Sequence, residues 1–235
     1  MHIRRILGIL IGLCIYFAVL DFSARFLGKR PLLIEAMTAV PGVVLFFLIR
    51  SKIDRTGQDR KVFFSNLPKT LLVVSPFWFL MANWIGQPLT EVPSTSVLLN
   101  AVIFCLLTGI GEELMFRGYL FHICEEWSRW TALLVTSLIF GLFHANQGWE
   151  IFGYALIVGL SYGAARIAGV PLWVLILFHA LNNLPNNLPH RDTFSSERVV
   201  IGIAFTTVFT VAFIVGRQHW SNKTSHPSPD RSESK

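Results

Sequence analysis

Three ionisable side chains interrupt an otherwise apolar stretch near the middle of the chain. Glu112, Glu113 and Arg117 lie within six residues of one another in the segment GIGEELMFRG. A charged side chain at the centre of a bilayer costs at least ~2.5 kcal/mol on insertion scales, so this group requires an internal partner or a function. Glu113 and Arg117 are four residues apart, which places them on one helix face where they can pair. That pair would leave Glu112 unexplained.

Two other apolar segments each contain a histidine with a companion four residues away. SLIFGLFHANQ holds Phe140 and His144, and LWVLILFHALNNLPNN holds His179 and Asn183. Each segment, read as a helix, therefore presents these side chains to a neighbour. Carboxylates beside imidazoles in a poorly solvated pocket supply a general base, and activation of water is the chemistry that suits this set of groups.

A purely structural role is the alternative. Glu113 would be satisfied by Arg117, and the two histidines would bond to neighbouring backbone or hydroxyl groups. This alternative accounts for any single residue, but one ion pair leaves Glu112 and both histidines unexplained as a set. The residues therefore favour a reactive site over a buried polar cluster.

The elements that position these side chains are predicted to be membrane-spanning helices. Of the 235 residues, 53% are hydrophobic and 14% are charged, whereas about 25% are charged in ordinary soluble domains. Apolar stretches of roughly 17 to 25 residues can cross a bilayer as helices. We therefore predict an all-α polytopic transmembrane helix bundle of about eight spans. They are Ile6–Phe22, Leu32–Ile49, Thr70–Ile85 (the weakest, because Pro76 interrupts it), Val97–Cys124, Thr131–Asn146, Ile151–Ile167, Val170–Leu184 and Val199–Gly216.

The distribution of positive charge predicts the orientation of the bundle and its partner. With the N-terminus inside, fourteen of the twenty Lys and Arg residues fall in inner segments, five fall in outer segments, and Arg117 falls in neither. This bias predicts that both termini are cytoplasmic. The net charge of +6 is then explained by loops that face anionic lipid headgroups, so the lipid bilayer is the predicted partner and nucleic acid is not.

The same topology places the polar residues at one depth. At 1.5 Å per residue, Glu112 lies roughly 18 Å from the inner end of its span, His144 roughly 20 Å and His179 roughly 14 Å. Three helices are thus predicted to bring their polar groups into one layer. Glycines one turn apart, such as Gly159 and Gly163, predict close helix contacts.

Composition divides the chain into three regions. Residues 1–96 hold the first helices and a basic loop, residues 97–216 hold all the polar motifs, and residues 217–235 form a polar tail that we expect to be disordered. The basic and apolar start is expected to be an uncleaved first helix. The three cysteines, Cys14, Cys105 and Cys124, are odd in number and lie in apolar segments, so no disulfide framework is predicted.

The motifs together resemble those of the CPBP (Abi) intramembrane proteases. That family contains the type II CAAX prenyl endopeptidases and bacterial proteins tied to bacteriocin maturation or self-immunity. EELMFR matches its EExxxR motif, FGLFH its FxxxH motif and HALNN its HxxxN motif. Each motif alone is weak, but all three in order form a specific signal, and the resemblance covers about residues 97–184.

The resemblance implies a role for each motif residue. Glu112 would be the general base that activates water for attack on a peptide carbonyl, and His144 would hold that water with it. His179 and Asn183 would polarise the carbonyl or stabilise the oxyanion.

The remaining motif residues are implied to support the site. Glu113 and Arg117 would organise it as a pair, and Phe140 is expected to be a packing residue. Because the family is often described as metalloproteases, Glu112, His144 and His179 are possible Zn²⁺ ligands with water as the fourth. A metal-free mechanism uses the same residues, and the sequence does not separate the two.

The resemblance therefore implies an integral, multi-pass membrane endopeptidase that hydrolyses a peptide bond of a membrane-associated protein or peptide. The short loops favour a bacterial cell membrane. Two other functions remain open: an ion-coupled transporter, because buried ionisable residues also relay ions, and a non-catalytic membrane adaptor or immunity protein with the same fold. The sequence identifies neither the substrate nor the oligomeric state.

Overall fold

The computed structural model describes residues 2–27, 30–53, 92–167, 170–184 and 187–188. Within these ranges all regular structure is helical and no strand occurs, which confirms the predicted all-α class. The elements are α1 (His2–Phe26), α2 (Pro31–Ile53), α3 (Thr95–Glu113), a π-helix (Leu114–Leu120), α4 (Phe121–Glu125), α5 (Arg129–His144), a 3-10 turn (Ala145–Gln147), α6 (Trp149–Ile167) and α7 (Leu172–Asn183).

Three helical stretches of the described chain are long and apolar enough to cross a membrane. They are Arg5–Ser23, Pro31–Ile49 and Thr95–Glu125, and the last runs through α3, the π-helix and α4. Helix α7 is apolar but shorter, and α5 and α6 occupy two further predicted spans. The predicted spans Thr70–Ile85 and Val199–Gly216 and the tail 217–235 lie outside the described residues.

Local sequence determines where several helices begin. Proline suits the first position of a helix because it lacks an N–H that would be unpaired there, and α2 begins at Pro31. Ser128 caps α5 through a 2.9 Å hydrogen bond from the Thr131 amide. Gly148 has φ of 120°, a value that favours glycine, and it links the 3-10 turn after His144 to α6.

Helices α2 and α3 lie parallel and in backbone contact. A Cβ atom added to Gly111 would lie 2.9 Å from the Cα of Ala39, and one added to Gly42 would collide with the Gly111 carbonyl. Further along, Gly118 lies against Phe46. The residue numbers rise together on both helices, which defines the parallel direction. This contact fixes α2 beside the residue that precedes Glu112.

Helix α7 packs antiparallel against α3. A Cβ atom on Gly109 would lie 2.9 Å from the Ile176 carbonyl oxygen and 3.6 Å from the Cβ of His179. At the other end of α7, Leu172 reaches Gly118. The small side chain at position 109 thus lets the two backbones approach until His179 faces the end of α3.

Helices α5 and α6 form an antiparallel pair. A Cβ atom on Gly159 would lie 2.9 Å from the Cα of Ser137, and one on Gly163 would lie 2.6 Å from Leu133 Cδ1. The close contact predicted from these glycines is therefore confirmed. The pairing holds the end of α5, and with it His144, against the bundle.

Helix α1 runs antiparallel along the second half of Thr95–Glu125. The Tyr119 hydroxyl donates a 2.9 Å hydrogen bond to the Gly8 carbonyl, and Arg5 pairs with Glu126 at 2.6 Å. Tyr16 is buried, and its ring meets Phe116 and Phe143 edge-on. Aromatic side chains therefore seal the core next to the polar layer.

Candidate active site

The polar residues of EELMFR lie at a break in helix geometry. Glu112 and Glu113 are the last residues of α3, and Arg117 belongs to the π-helix Leu114–Leu120 that follows directly. Every residue of that π-helix is buried. Short π segments inside α-helices recur at functional sites because they turn side chains in directions that a regular helix does not allow.

Glu113 is the central residue of a buried polar cluster. Its Oε1 atom accepts a hydrogen bond from Arg117 Nη1 at 3.0 Å and lies 2.7 Å from His179 Nδ1. The side chains of Glu113 and Arg117 have no exposed surface. The pair predicted from the four-residue spacing is present, and the histidine is an additional partner. Both contacts are made by Oε1, and Oε2 is buried with no hydrogen-bond partner among the described residues.

His179 has a carboxylate at each ring nitrogen. Nδ1 faces Glu113, and Nε2 lies 3.5 Å from Glu112 Oε2. That second distance is long for a hydrogen bond, and Glu112 Oε2 is buried with no hydrogen-bond partner among the described residues. The side chain of Glu112 is 9% exposed. Glu112 is therefore close to the imidazole while one of its oxygens retains an unused acceptor.

Arg117 is held by aromatic faces as well as by Glu113. Its guanidinium carbon lies 4.3 Å from the centroid of the Phe140 ring and 5.4 Å from that of Tyr162. Nε and Nη2 have no hydrogen-bond partner within the described residues. Cation–π attraction strengthens when the cation is desolvated, so these rings replace part of the lost hydration.

Phe140 does more than fill space in the core. Besides its contact with Arg117, its ring centroid lies 4.7 Å from that of His144 and 6.0 Å from that of His179. The prediction that Phe140 is a packing residue agrees with its 2% exposure, but it did not include these contacts. Its four-residue spacing from His144 was the signal in the sequence.

His144 lies at the end of α5 and is half-buried. Its Nδ1 is 2.9 Å from the Phe140 carbonyl oxygen. A carbonyl only accepts hydrogen bonds, so Nδ1 carries the proton and the neutral ring presents Nε2 as an acceptor. Among the described contacts none joins His144 directly to Glu112 or His179. The Phe140 ring, which touches both imidazoles, connects the two histidines.

The two asparagines after His179 differ in their surroundings. Asn183, at the motif position, is half-buried, and its carbonyl accepts a 2.9 Å hydrogen bond from Asn187. Asn182 is 7% exposed, and its Oδ1 accepts a 2.8 Å hydrogen bond from the Tyr154 hydroxyl on α6. Sequence reasoning missed this link because nothing in the spacing marks Tyr154.

Glu35 is a third carboxylate near the site that sequence reasoning missed. It lies on α2, and its Oε2 accepts a 3.0 Å hydrogen bond from the Thr108 hydroxyl on α3. Thr108 precedes Glu112 by one helical turn, which places Glu35 near the site. The signal was available in the sequence, because Glu35 is the one carboxylate in the predicted span Leu32–Ile49.

The candidate metal ligands do not converge in the described part of the chain. No group of three or more His, Cys, Asp or Glu side chains there is arranged to hold a metal ion. The histidines nevertheless have the hydrogen bonding of ligands, since His179 Nδ1 faces Glu113 and His144 Nδ1 faces a carbonyl. In metal sites such contacts orient the ring and leave Nε2 for the ion.

The arrangement pairs a poorly satisfied carboxylate with an imidazole that a second carboxylate and an arginine hold in place. Such a pair can take a proton from water and stabilise the charge that develops. The cluster lies where helix Thr95–Glu125, which is long enough to cross a membrane, meets α7. The cluster therefore lies within a helical stretch that is long and apolar enough to span a bilayer.

Comparisons with known proteins relate the segment that contains this cluster to a protease family. Residues 94–185 match the family model described as type II CAAX prenyl endopeptidase Rce1-like. An uncharacterized 24.3 kDa protein of Escherichia coli is 25% identical over 168 residues, which cover 65% of this chain and 77% of that protein. No solved structure is significantly similar. The segment that carries the buried cluster is therefore related to the CPBP/CAAX protease family, and the chain is a membrane protein.

Proposed function

We propose that the protein is an intramembrane endopeptidase that hydrolyses a peptide bond of a membrane-associated polypeptide. The observation that carries this proposal is the contact of His179 with Glu112 and Glu113. It brings together two motifs that lie 66 residues apart within the segment that matches a protease family. An ion pair serving stability alone would not need the third group, Glu112.

In the proposed reaction Glu112 accepts a proton from a water molecule, and the water oxygen attacks the carbonyl carbon of the peptide. The C–N bond then breaks, and the proton held by Glu112 passes to the departing nitrogen. His144 Nε2 accepts a hydrogen bond from the attacking water. His179 and Asn183 donate to the carbonyl oxygen as it becomes negative. The second proton of the water stays on the new carboxyl group, so the reaction balances.

Glu113 and Arg117 support this reaction without touching the substrate. Glu113 binds His179 Nδ1 and directs Nε2 toward Glu112. Arg117 neutralises Glu113, and Phe140 and Tyr162 hold the guanidinium. Positioning of this kind contributes because small displacements of reacting groups reduce rates strongly.

Zn²⁺ remains a proposal for the cofactor. Glu112, His144 and His179 would hold it, and the ion would act as a Lewis acid on the peptide carbonyl. Metal analysis of the active purified protein decides between the two routes. Stoichiometric zinc that is lost in His144→Ala supports the metal, whereas full activity without stoichiometric metal overturns it.

We also propose eight spans with both termini in the cytoplasm of a bacterial cell. Because α2 and α3 are parallel, the chain between them must cross the membrane an odd number of times to return to the side at which α2 begins. The single span predicted between them therefore supports this count. Residues 97–216 would then carry the motifs of the protease core, residues 1–96 would supply N-terminal helices that pack against it, and residues 217–235 would form a polar tail.

The test of the function is Glu112→Gln, which removes the proposed base and preserves shape. Membrane peptides are compared by mass spectrometry in cells that carry the wild-type chain or the variant. We expect at least one peptide to be cut only by the wild type, and purified variant protein to lose at least ~10²-fold in rate. Glu126→Gln, which removes a carboxylate paired with Arg5, is the matched control and should behave as wild type.

The remaining hypotheses give different results in the same experiment. A variant with normal cleavage contradicts the role of Glu112. A transporter would show gradient-dependent uptake into vesicles and no cleavage, and an adaptor would show a Glu112→Gln phenotype indistinguishable from wild type.

A further inference from the structure

Glu35 reaches the same face of α3 as Glu112. Its carboxylate accepts a hydrogen bond from the Thr108 hydroxyl. Thr108 precedes Glu112 by four residues and therefore lies on the same side of the helix. The backbone contact of Gly111 with Ala39 holds α2 at this position. Glu35 is half-buried, whereas Glu112 is buried. Glu35 thus lies at the more open edge of the site.

The carboxyl groups of the described site outnumber the basic side chains that contact them. Glu35, Glu112 and Glu113 supply three carboxyl groups, whereas Arg117 and His179 are the basic side chains in contact with Glu112 and Glu113. Within the described ranges no Lys or Arg forms an ion pair with Glu35. A carboxylate in a membrane segment without a counter-ion is unfavourable. A cation from outside these residues would complete the cluster.

We propose that Glu35 determines substrate specificity by binding a positively charged group of the substrate. The substrate class is a membrane-associated polypeptide with a Lys or Arg side chain close to the scissile bond. This inference rests on the proposed peptidase function and adds a residue to which no motif assigns a role. Thr108 positions Glu35 by holding its carboxylate from α3.

The spacing along α3 predicts where that basic residue lies. Thr108 and Glu112 are one turn apart, about 6 Å along the axis. An extended peptide advances about 3.3 Å per residue. The basic side chain is therefore expected within about two residues of the bond that Glu112 attacks.

The test uses the purified full chain in phosphatidylcholine liposomes with synthetic apolar peptides. The peptides share one sequence and carry Lys, Gln or Glu at each position in turn on both sides of the cleaved bond. We expect one Lys peptide to be cut at least ~10-fold faster than its Gln counterpart, because a poorly solvated ion pair contributes that much. Glu35→Gln should bring this ratio to about 1, and Glu35→Lys should favour the Glu peptide.

Two further variants make the result decisive. Asp21→Asn removes a carboxylate that is paired with Arg25 on the surface of α1, and it should keep the wild-type ratio. Thr108→Val keeps Glu35 but removes its hydrogen bond, so the ratio should fall even if Glu35→Gln fails to fold.

Two outcomes overturn the inference, and they can be told apart. If the wild type cuts no peptide faster than Glu112→Gln does, the proposed function fails and the inference fails with it. If the wild type cuts peptides but its preference for Lys is absent, or survives in Glu35→Gln and Thr108→Val, only the role of Glu35 is excluded.

Discussion

At the scale of single residues, the site depends on how a few buried polar groups are compensated. Glu113 has two partners at Oε1, whereas Glu112 approaches His179 at 3.5 Å. Oε2 of each glutamate is buried without a hydrogen-bond partner in the described residues. The guanidinium of Arg117 lies over the Phe140 ring, and this contact replaces part of its lost hydration. In the proposed reaction, this difference in contacts assigns a structural role to Glu113 and the reacting role to Glu112.

Phe140→Leu tests the aromatic support of Arg117. The substitution keeps an apolar side chain but removes the ring face, so we expect a loss of about 2 kcal/mol in stability, the size of a desolvated cation–π contact. Activity should fall further, because Arg117 and both histidines lose a common neighbour. Thermal unfolding in detergent measures the first effect and peptide cleavage the second. Phe22→Leu, at an exposed ring, is the control, and equal losses in both variants would contradict the contact.

Tyr154→Phe tests the link between α6 and α7. It leaves Asn182 buried with an unpaired oxygen, which costs about 1–3 kcal/mol. In the double variant Tyr154→Phe with Asn182→Leu neither polar group remains, so part of the stability should return. A double-mutant cycle from chemical unfolding in detergent measures the coupling. Strictly additive losses would show that the hydrogen bond contributes nothing.

These residues also show which contacts a sequence can predict. The pair of Glu113 and Arg117 follows from local helix geometry, so four-residue spacing was sufficient. The contact of His179 with Glu113 depends on how α3 and α7 pack, and the sequence predicted only a shared depth. Glu35 was missed because its neighbours depend on the register between α2 and α3.

At the scale of elements, small residues set the register of helices around the site. Gly109 contacts α7 and Gly111 contacts α2, on opposite faces of the last turn before Glu112. Close backbone approach of this kind is the usual basis of helix packing in lipid, where apolar surface alone gives little specificity. The sequence marked Gly159 and Gly163 correctly, but the glycines of GIGEE were read only as the start of a motif.

Gly111→Ala tests this register. The added Cβ would lie 2.9 Å from the Cα of Ala39, so α2 must move away from α3 and carry Glu35 with it. We expect cleavage to fall at least ~10-fold, with a larger effect on activity than on unfolding temperature. Gly153→Ala has no atom within 4 Å of the added Cβ and should leave both unchanged. Normal activity of Gly111→Ala would mean that the contact does not position the site.

At the scale of the whole molecule, helix directions define the two ends of the bundle. Helix α3 starts at the end where α2 starts and α5 finishes, and α5 starts at the opposite end, next to α4. The all-α class and the membrane character follow from composition and are present in the described residues. The number of spans needs more than composition, because the segments between α2 and α3 and beyond α7 lie outside those residues.

Single cysteines test these directions and the orientation. In a background with Cys14, Cys105 and Cys124 replaced by serine, Val92→Cys and Trp149→Cys lie at exposed positions of one end, and Arg129→Cys lies at the other. An impermeant thiol reagent should label the first two in intact cells and the third only after permeabilisation. Labelling of Arg129→Cys alone in intact cells would reverse the proposed orientation. Labelling of Val92→Cys and Trp149→Cys from different sides would contradict the helix directions.

The π-helix Leu114–Leu120 has a consequence for the spacing of the motif. Each residue of a regular helix turns by about 100°, so a wider turn gives the helix after Arg117 a different rotational phase from the helix before Glu112. Removing one residue between these positions would restore uniform winding and would rotate Arg117 away from Phe140 and Tyr162. A shortened chain of this kind would keep a continuous transmembrane helix while losing the alignment of its two halves. The wider turn thus sets the rotational phase of α4 relative to α3, the helix that carries the two carboxylates.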